Sequence, residues 1–193
     1  YGNSKYFPQK ESSYDYINPI GERSCYVEGK RFAESICFDY LRKRKANICI
    51  ARIFNTYGPK MHPHDGRVIS NFISKGLNNK SIYIFGDGLQ TRSFCYVSDI
   101  VEGLIRLMNS NHIGPMNLGN THEINIIYLA NLINKKLNNK KKLVFLEKRE
   151  DEPVRRKPDI DLAKALLGWE PSLSLYDGLD ITIDYFKKLH SNN

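Results

Sequence analysis

Between Ser24 and Arg44, apolar and aromatic residues return every three or four positions: Tyr26, Ala33, Ile36, Cys37, Tyr40 and Leu41. That spacing predicts a helix. The run Ile48-Cys49-Ile50-Ala51-Arg52-Ile53-Phe54 is short and mostly apolar, as in a buried parallel strand. Asn55-Thr56-Tyr57-Gly58-Pro59 ends it in a turn. The helical period returns over Arg67 to Leu77, where Val68, Ile69, Phe72, Ile73, Gly76 and Leu77 share one side. Short strands are expected over Ser81 to Phe85 and Phe94 to Val97, joined through the hairpin-like turn Gly86-Asp87-Gly88. Asp99 is placed to cap a helix over Ile100 to Asn109. Pro115 to Leu118 and Leu143 to Leu146 suit strands, and Ile126 to Leu137 suits a helix. Asp159 or Asp161 precedes a helix that Gly168 stops. The last helix spans about Leu175 to Leu189, with Leu175, Leu179, Ile183, Phe186 and Leu189 facing inward. Residues 1 to 23 read as loop. Strands alternate with helices throughout, so the fold class is α/β.

Composition narrows this picture. At 193 residues there is room for a single domain with a real core. No stretch approaches the ~18 consecutive apolar residues of a membrane span. Cys25, Cys37, Cys49 and Cys95 have no Cys-x-x-Cys spacing, which argues against a metal site. They read as buried or half-buried free thiols, and a cytoplasmic location is expected. The net charge of +8 raises the question of nucleic acid. The excess sits in runs such as Arg42-Lys43-Arg44-Lys45 and Lys140-Lys141-Lys142, which lack interleaved aromatics and read as solvated charge. No nucleic-acid partner is expected, although an anionic small substrate would suit a basic cleft. The chain contains no Gly-x-Gly-x-x-Gly turn of the kind that lets a backbone approach a pyrophosphate.

Tyr26 and Lys30 carry the candidate chemistry. Four residues apart on a helix, they share a face. A nearby fixed cation favours phenolate over phenol. Moving a tyrosine from ~10 to ~7 requires roughly 4 kcal/mol. It would then be a base suited to taking a proton from an alcohol. A surface lysine beside a half-buried tyrosine gives the same spacing without any chemistry.

Further segments agree with the catalytic alternative. Ala51 to Pro59, Asp65 to Phe72, Gly86 to Asp99 and Met116-Asn117-Leu118-Gly119-Asn120, taken with Tyr26-x-x-x-Lys30, resemble the extended short-chain dehydrogenase/reductase family. Asn18-Pro19-Ile20-Gly21-x-Arg23-Ser24-Cys25-Tyr26 and Arg156-Lys157-Pro158-Asp159-Ile160 resemble its UDP-glucuronate decarboxylase branch more narrowly. The resemblance covers nearly the whole chain, in order. Tyr1-Gly2 resembles the end of the family's Thr-Ser-Glu-Val-Tyr-Gly segment, so the chain is expected to be the C-terminal portion of a longer protein.

The resemblance implies a Rossmann-like C-terminal part forming one domain over 1–193. Its substrate-binding region lies mainly in 59–100 and 140–175. NAD is the implied cofactor, a UDP-sugar the implied substrate, and a homodimer through the Ser24 to Arg44 helix the implied assembly. Tyr26 would be the base. Lys30, Thr56 and Arg67 would join Tyr26 at the cofactor. Asn55, Arg67, Arg92 and Arg156 would contact the substrate, with Arg92 on the diphosphate and Arg156 near the sugar carboxylate. Asn55 is also an ordinary turn residue, Arg67 an ordinary helix-start residue, and Arg155-Arg156-Lys157 ordinary surface charge. The implied activity is NAD-dependent decarboxylation of UDP-glucuronate to UDP-xylose through a 4-keto sugar. A 4-epimerase or 4,6-dehydratase of the same family remains an alternative, as does a non-catalytic binding module. The 193 residues by themselves are expected to be inactive.

Overall fold

In the computed structural model, described for residues 1–22, 24–44, 46–148 and 153–191, parallel strand pairs and helices follow the alternation of the sequence. Helix α1 (Ser24–Arg44) leads into β1 (Cys49–Ile53) and β2 (Thr56–Tyr57). Then come α2 (Val68–Leu77), β3 (Tyr83–Phe85), β4 (Thr91–Ser93), β5 (Cys95–Tyr96) and α3 (Val97–Met108). Strands β6 (Gly114–Leu118) and β7 (Glu123–Asn125) precede α4 (Ile126–Lys136). The chain closes with β8 (Val144–Leu146), β9 (Arg155–Arg156), α5 (Asp161–Leu167) and α6 (Leu175–Ser191). β1 pairs with β6, β2 with β5, and β3 with β8, all parallel. β4 lies between antiparallel β7 and parallel β9.

The apolar faces read from the sequence build the core. Ile69, Phe72 and Ile73 of α2 meet Leu129 and Ile133 of α4 and Leu179, Ile183 and Phe186 of α6 in one buried cluster. Ile100, Leu107, Met116, Leu118 and Trp169 form a second. Gly178 lets α6 close on β2: a Cβ there would stand 2.2 Å from the Tyr57 hydroxyl. Helix ends follow local chemistry. Asn125 accepts the Tyr128 N–H at 2.7 Å, and Gly168 (φ 57°) ends α5 in the left-handed region. Ser174 and Asp177 cap α6 reciprocally, through N–H to hydroxyl at 3.1 Å and hydroxyl to carboxylate at 2.6 Å.

Several expectations need correction. β1 is parallel but not buried: β6 covers one edge, and Ile53 is 52% exposed. Gly86-Asp87-Gly88 is not a hairpin turn, because β3 takes β8 as its partner instead of β4. Helix α3 starts two residues before Asp99, after Tyr96. The Asp99 carboxylate instead accepts the Ser172 hydroxyl (3.0 Å) and the Leu173 N–H (3.1 Å), tying α3 to the segment before α6. Ile160 stands at the start of α5, with Asp159 accepting the Asp161 N–H at 2.9 Å. Residues 1–22 are not all free loop: Asn3 bridges Tyr16 and Gln9 bridges Pro158. Of the four thiols, Cys25 and Cys49 are exposed and only Cys95 is buried. Arg23 and Lys45, named in the sequence motifs, lie outside the described residues.

Candidate functional site

The candidate residues fall into two groups, one on α1 and one built around β4 and β9. Tyr26 and Lys30 ride on the first two turns of α1. Both are exposed, Tyr26 by 59%. The helix start is fixed locally: the Ser24 N–H donates to Gly21 O at 2.9 Å, and the Ser24 hydroxyl bonds Asn18 O. Further along, Arg31 Nη1 donates to Asp15 O at 3.1 Å.

The second group is built by strand pairing. Arg92 of β4 and Arg156 of β9 are register partners in a parallel pair. Arg92 is buried, and its Nη1 donates to Thr91 O at 2.8 Å and to Val154 O at 3.4 Å. Next to it, Ser93 O accepts the Asn55 side-chain amide at 3.3 Å. Cys95 N in turn donates to Asn55 O at 2.9 Å, so Asn55 is held from both ends where β1 passes into β2. Burial beside Asp99 pushes the Cys95 thiol up to about 12, which leaves it an inert packing group.

A shallow cleft of about 30 Å³, open to solvent, lies between the start of α1 and Arg156, and Tyr26 and Lys30 are not among the residues that line it. Gly2, Asn18, Ser24, Val27 and Arg156 are among its walls, so the first turn of α1 and Arg156 face one space. Thr56 and Arg67 stand apart from it. The Thr56 hydroxyl donates to Phe54 O at 2.9 Å. Arg67 precedes α2 with its side chain exposed, Nε 3.7 Å from Asp65. Arg155, the rival of Arg156, is engaged elsewhere: its Nε and Nη2 grip the Glu123 carboxylate, Nε at 2.7 Å. That grip, against the cost of partial burial, holds Glu123 below the usual carboxylate range.

Sequence patterns missed one cluster beside α1. Arg52 of β1 places its Nε 3.0 Å from Glu34 Oε2, and Nη2 meets Oε1. Its Nη1 donates to Glu11 O at 2.8 Å, and its guanidinium lies 4.7 Å from the Tyr1 ring centre. The Tyr1 hydroxyl donates to Asn117 Oδ1 at 2.6 Å. Burial opposes the Arg52 charge, but the hydrogen bonds to Glu34 and Tyr1 outweigh it and hold Arg52 firmly protonated. The available signal was a cation inside an apolar strand, together with a glutamate four residues beyond Lys30.

The donors present fit one end of a dinucleotide. Tyr26 and Lys30 stand one helical turn apart on α1, and a phenol and an ammonium on one helix face are a donor set that suits a nicotinamide ribose. The Gly86-Asp87-Gly88 turn leads from β3 to β4 without a helix behind it, so it is no pyrophosphate cradle. Among the described residues, no group of three or more His, Cys, Asp or Glu is placed to hold a metal ion. Among the described residues no helix is long and apolar enough to cross a membrane.

Comparison with known proteins agrees with this architecture. UDP-glucuronic acid decarboxylase 1 of Xenopus tropicalis is 50% identical over 188 residues, covering 97% of this chain and 45% of the relative. UDP-glucuronic acid decarboxylase 3 of Arabidopsis thaliana is 49% identical, covering 97% of this chain and 55% of the relative. The chain thus spans about half the length of the curated relatives it matches. The UDP-glucuronic acid 4-epimerase of Bacillus cereus, solved with UDP-glucuronic acid and NAD, superposes with a TM-score of 0.81 at 30% identity. That match covers 91% of this chain and 58% of the epimerase. UDP-glucose 4-epimerase of Thermotoga maritima, solved with UDP-glucose, gives a TM-score of 0.90 at 28% identity, over 97% of this chain and 60% of that one. A sequence model of the NAD dependent epimerase/dehydratase family matches residues 1–145. Parallel strand pairs, the Tyr26–Lys30 pair and the paired arginines therefore sit in a recognised frame: the chain belongs to the NAD dependent epimerase/dehydratase family.

Proposed function

We propose that the whole protein converts UDP-glucuronate to UDP-xylose and CO2 with NAD as cofactor. The observation that carries this reading is Arg156. It is strand-paired with Arg92 and faces the cleft that the first turn of α1 also lines. Two cations on adjacent strands suit a substrate that is anionic at both ends, a diphosphate and a sugar carboxylate. The decarboxylases among the relatives support the same choice. The substrate-binding region of this proposal lies mainly in 59–100 and 140–175, which supply β4 and β9.

Tyr26 takes the proton from the C4 hydroxyl, with Lys30 one turn along the same face of α1. Tyr26, Lys30, Thr56 and Arg67 would hold the cofactor. When bound, NAD supplies hydride acceptance at C4 and its later return. Arg92 takes the diphosphate, Asn55 orients the sugar, and Arg156 holds the C6 carboxylate. With a ketone at C4 that carboxylate is β to a carbonyl, so CO2 leaves with its bonding electrons spread into the enolate. Tyr26, now a phenol, hydrogen-bonds the enolate oxygen; a proton taken up from solvent at C5 gives the 4-keto pentose, and Tyr26 returns its own proton to the C4 oxygen as the C4 hydroxyl is restored.

The same fold supports 4-epimerisation, and the Bacillus cereus structure keeps that second reading in play. Product analysis with UDP-glucuronate separates them: the proposal requires CO2 and UDP-xylose, and a C4 epimer that retains its carboxylate would refute it. Arg156→Ala should slow CO2 release by ~100-fold or more, in line with the loss of one charge-stabilising donor, while leaving NAD affinity unchanged. Equal losses in both would contradict the assigned role.

The proposal extends to assembly and location. Phe32, Ile36 and Tyr40 present an apolar face of α1 to solvent, which suits a second copy of the protein. The four unpaired thiols, two of them exposed, suit a reducing cytoplasm. Fractionation of the source cells would refute the location by recovering the protein from an oxidising compartment.

A further inference from the structure

Tyr26, Lys30 and Glu34 follow one another at four-residue steps, so they form a single stripe along α1. A lysine and a glutamate at that spacing are within reach of each other, although lysine before glutamate is the weaker order. Here they do not pair. The Glu34 carboxylate is turned away and gripped by both prongs of Arg52 from β1. Lys30 has no carboxylate partner among the described residues. The Arg52–Glu34 pair is itself well shielded, with side chains 20% and 24% exposed. Arg52 is aimed by two further contacts, the Glu11 carbonyl and the face of Tyr1. A two-pronged guanidinium–carboxylate pair, partly buried, is stronger than an exposed lysine–glutamate pair on a helix. The competition for Glu34 therefore goes to Arg52.

We infer that Arg52 is a positioning residue for the Tyr26–Lys30 pair: by holding Glu34 against β1, it keeps a carboxylate off Lys30 and leaves that ammonium free to act on Tyr26. This rests on the reading of Tyr26 as the base. A carboxylate at Lys30 would largely cancel the field that the ammonium places on the phenol four residues earlier. The other charged and titratable groups around the pair are already spoken for or lie on other elements. Arg31 faces Glu28 at 3.9 Å and donates to Asp15 O. Glu11 Oε1 accepts the Asn117 N–H at 2.8 Å. Asp15 accepts the Gln9 side-chain amide at 3.1 Å. Tyr1 is tied to Asn117, and Arg156 belongs to β9. None of these replaces Arg52 as the holder of Glu34.

The test reads the Tyr26 phenol directly, without turnover. The protein is made with 3-fluorotyrosine, the Tyr26 resonance is assigned by its loss in Tyr26→Phe, and its ¹⁹F shift is followed against pH. Arg52→Gln should raise the midpoint by about half a unit to one unit, because the released carboxylate reaches Lys30. Glu34→Gln alone should leave the midpoint in place. Adding Glu34→Gln to Arg52→Gln should bring it back. Arg52→Lys keeps the charge and loses one prong, so it should give a smaller rise in the same direction. An unchanged midpoint in both arginine variants, or a rise that the second substitution fails to reverse, would overturn the inference. The outcome is independent of the catalytic reading, which stands or falls on CO2 release by Tyr26→Phe.

Discussion

Helices α2, α4 and α6 each gather their apolar residues on one face, whereas α1 spreads them over more than one, and the two kinds of helix end in opposite surroundings. Ile73 and Ile133 are fully buried and Leu179 with them, each helix serving as a wall for the others. On α1, Phe32 is 68% exposed and Ile36 and Tyr40 are also open. α1 is held instead by polar ties, at Ser24 to Asn18, at Arg31 to Asp15 and at Glu34 to Arg52. The candidate base and its lysine lie on this polar-tied, apolar-exposed helix. The candidate substrate arginines lie at the edge of the packed body. One region is closed into a core, and the other leaves open the face that the proposed site and the proposed dimer require.

That contrast breaks if the two regions respond alike to truncation. Leu179→Ala or Ile133→Ala should each cost about 2–5 kcal/mol, the range for a cavity in a packed core. Phe32→Ser with Ile36→Ser on α1 should change stability by no more than about 0.5 kcal/mol, as at other surface sites. Urea midpoints for the three variants decide it. The same α1 pair should weaken self-association in sedimentation equilibrium. A core-sized loss of stability without any change in mass would place α1 in the core and remove the proposed dimer surface.

A smaller effect sharpens the account of the packed side. Glu123, held low by the Arg155 hydrogen bonds, contributes stability that is present above its unfolded value. That contribution fades as pH falls through the depressed folded value. Glu123→Gln should therefore lower stability slightly at neutral pH and flatten the acid limb below about pH 4, where an unperturbed glutamate would protonate. Thermal melts across pH 3 to 7 check the sign. An acid limb unchanged by the substitution would remove Glu123 from the account.

Much of this was legible in the chain, for local reasons. Ile69, Phe72 and Ile73, or Leu179, Ile183 and Phe186, repeat at helical spacing because each helix presents one face to one core. Gly168 announces its own turn. What escaped depends on distant partners. β3 chooses β8, far along the chain, so Gly86-Asp87-Gly88 only looked like a hairpin turn. Asp99 looked like a cap because its true acceptor role serves Ser172 and Leu173. In the candidate site, Tyr26, Lys30 and Arg156 stood out by motif. The pairing of Arg156 with Arg92, the holding of Asn55 by Ser93 and the capture of Glu34 by Arg52 are tertiary facts with no local signature.

The central claim is that the exposed face of α1 performs the proton transfer for a decarboxylation completed at Arg156. The most direct test is CO2 release from carboxyl-labelled UDP-glucuronate, with NAD supplied, by the whole protein and its Tyr26→Phe variant. Phenylalanine keeps the ring and removes only the hydroxyl. The account predicts a fall of ~100- to 10,000-fold with the fold intact by circular dichroism. Wild-type CO2 release by a folded Tyr26→Phe protein would contradict it.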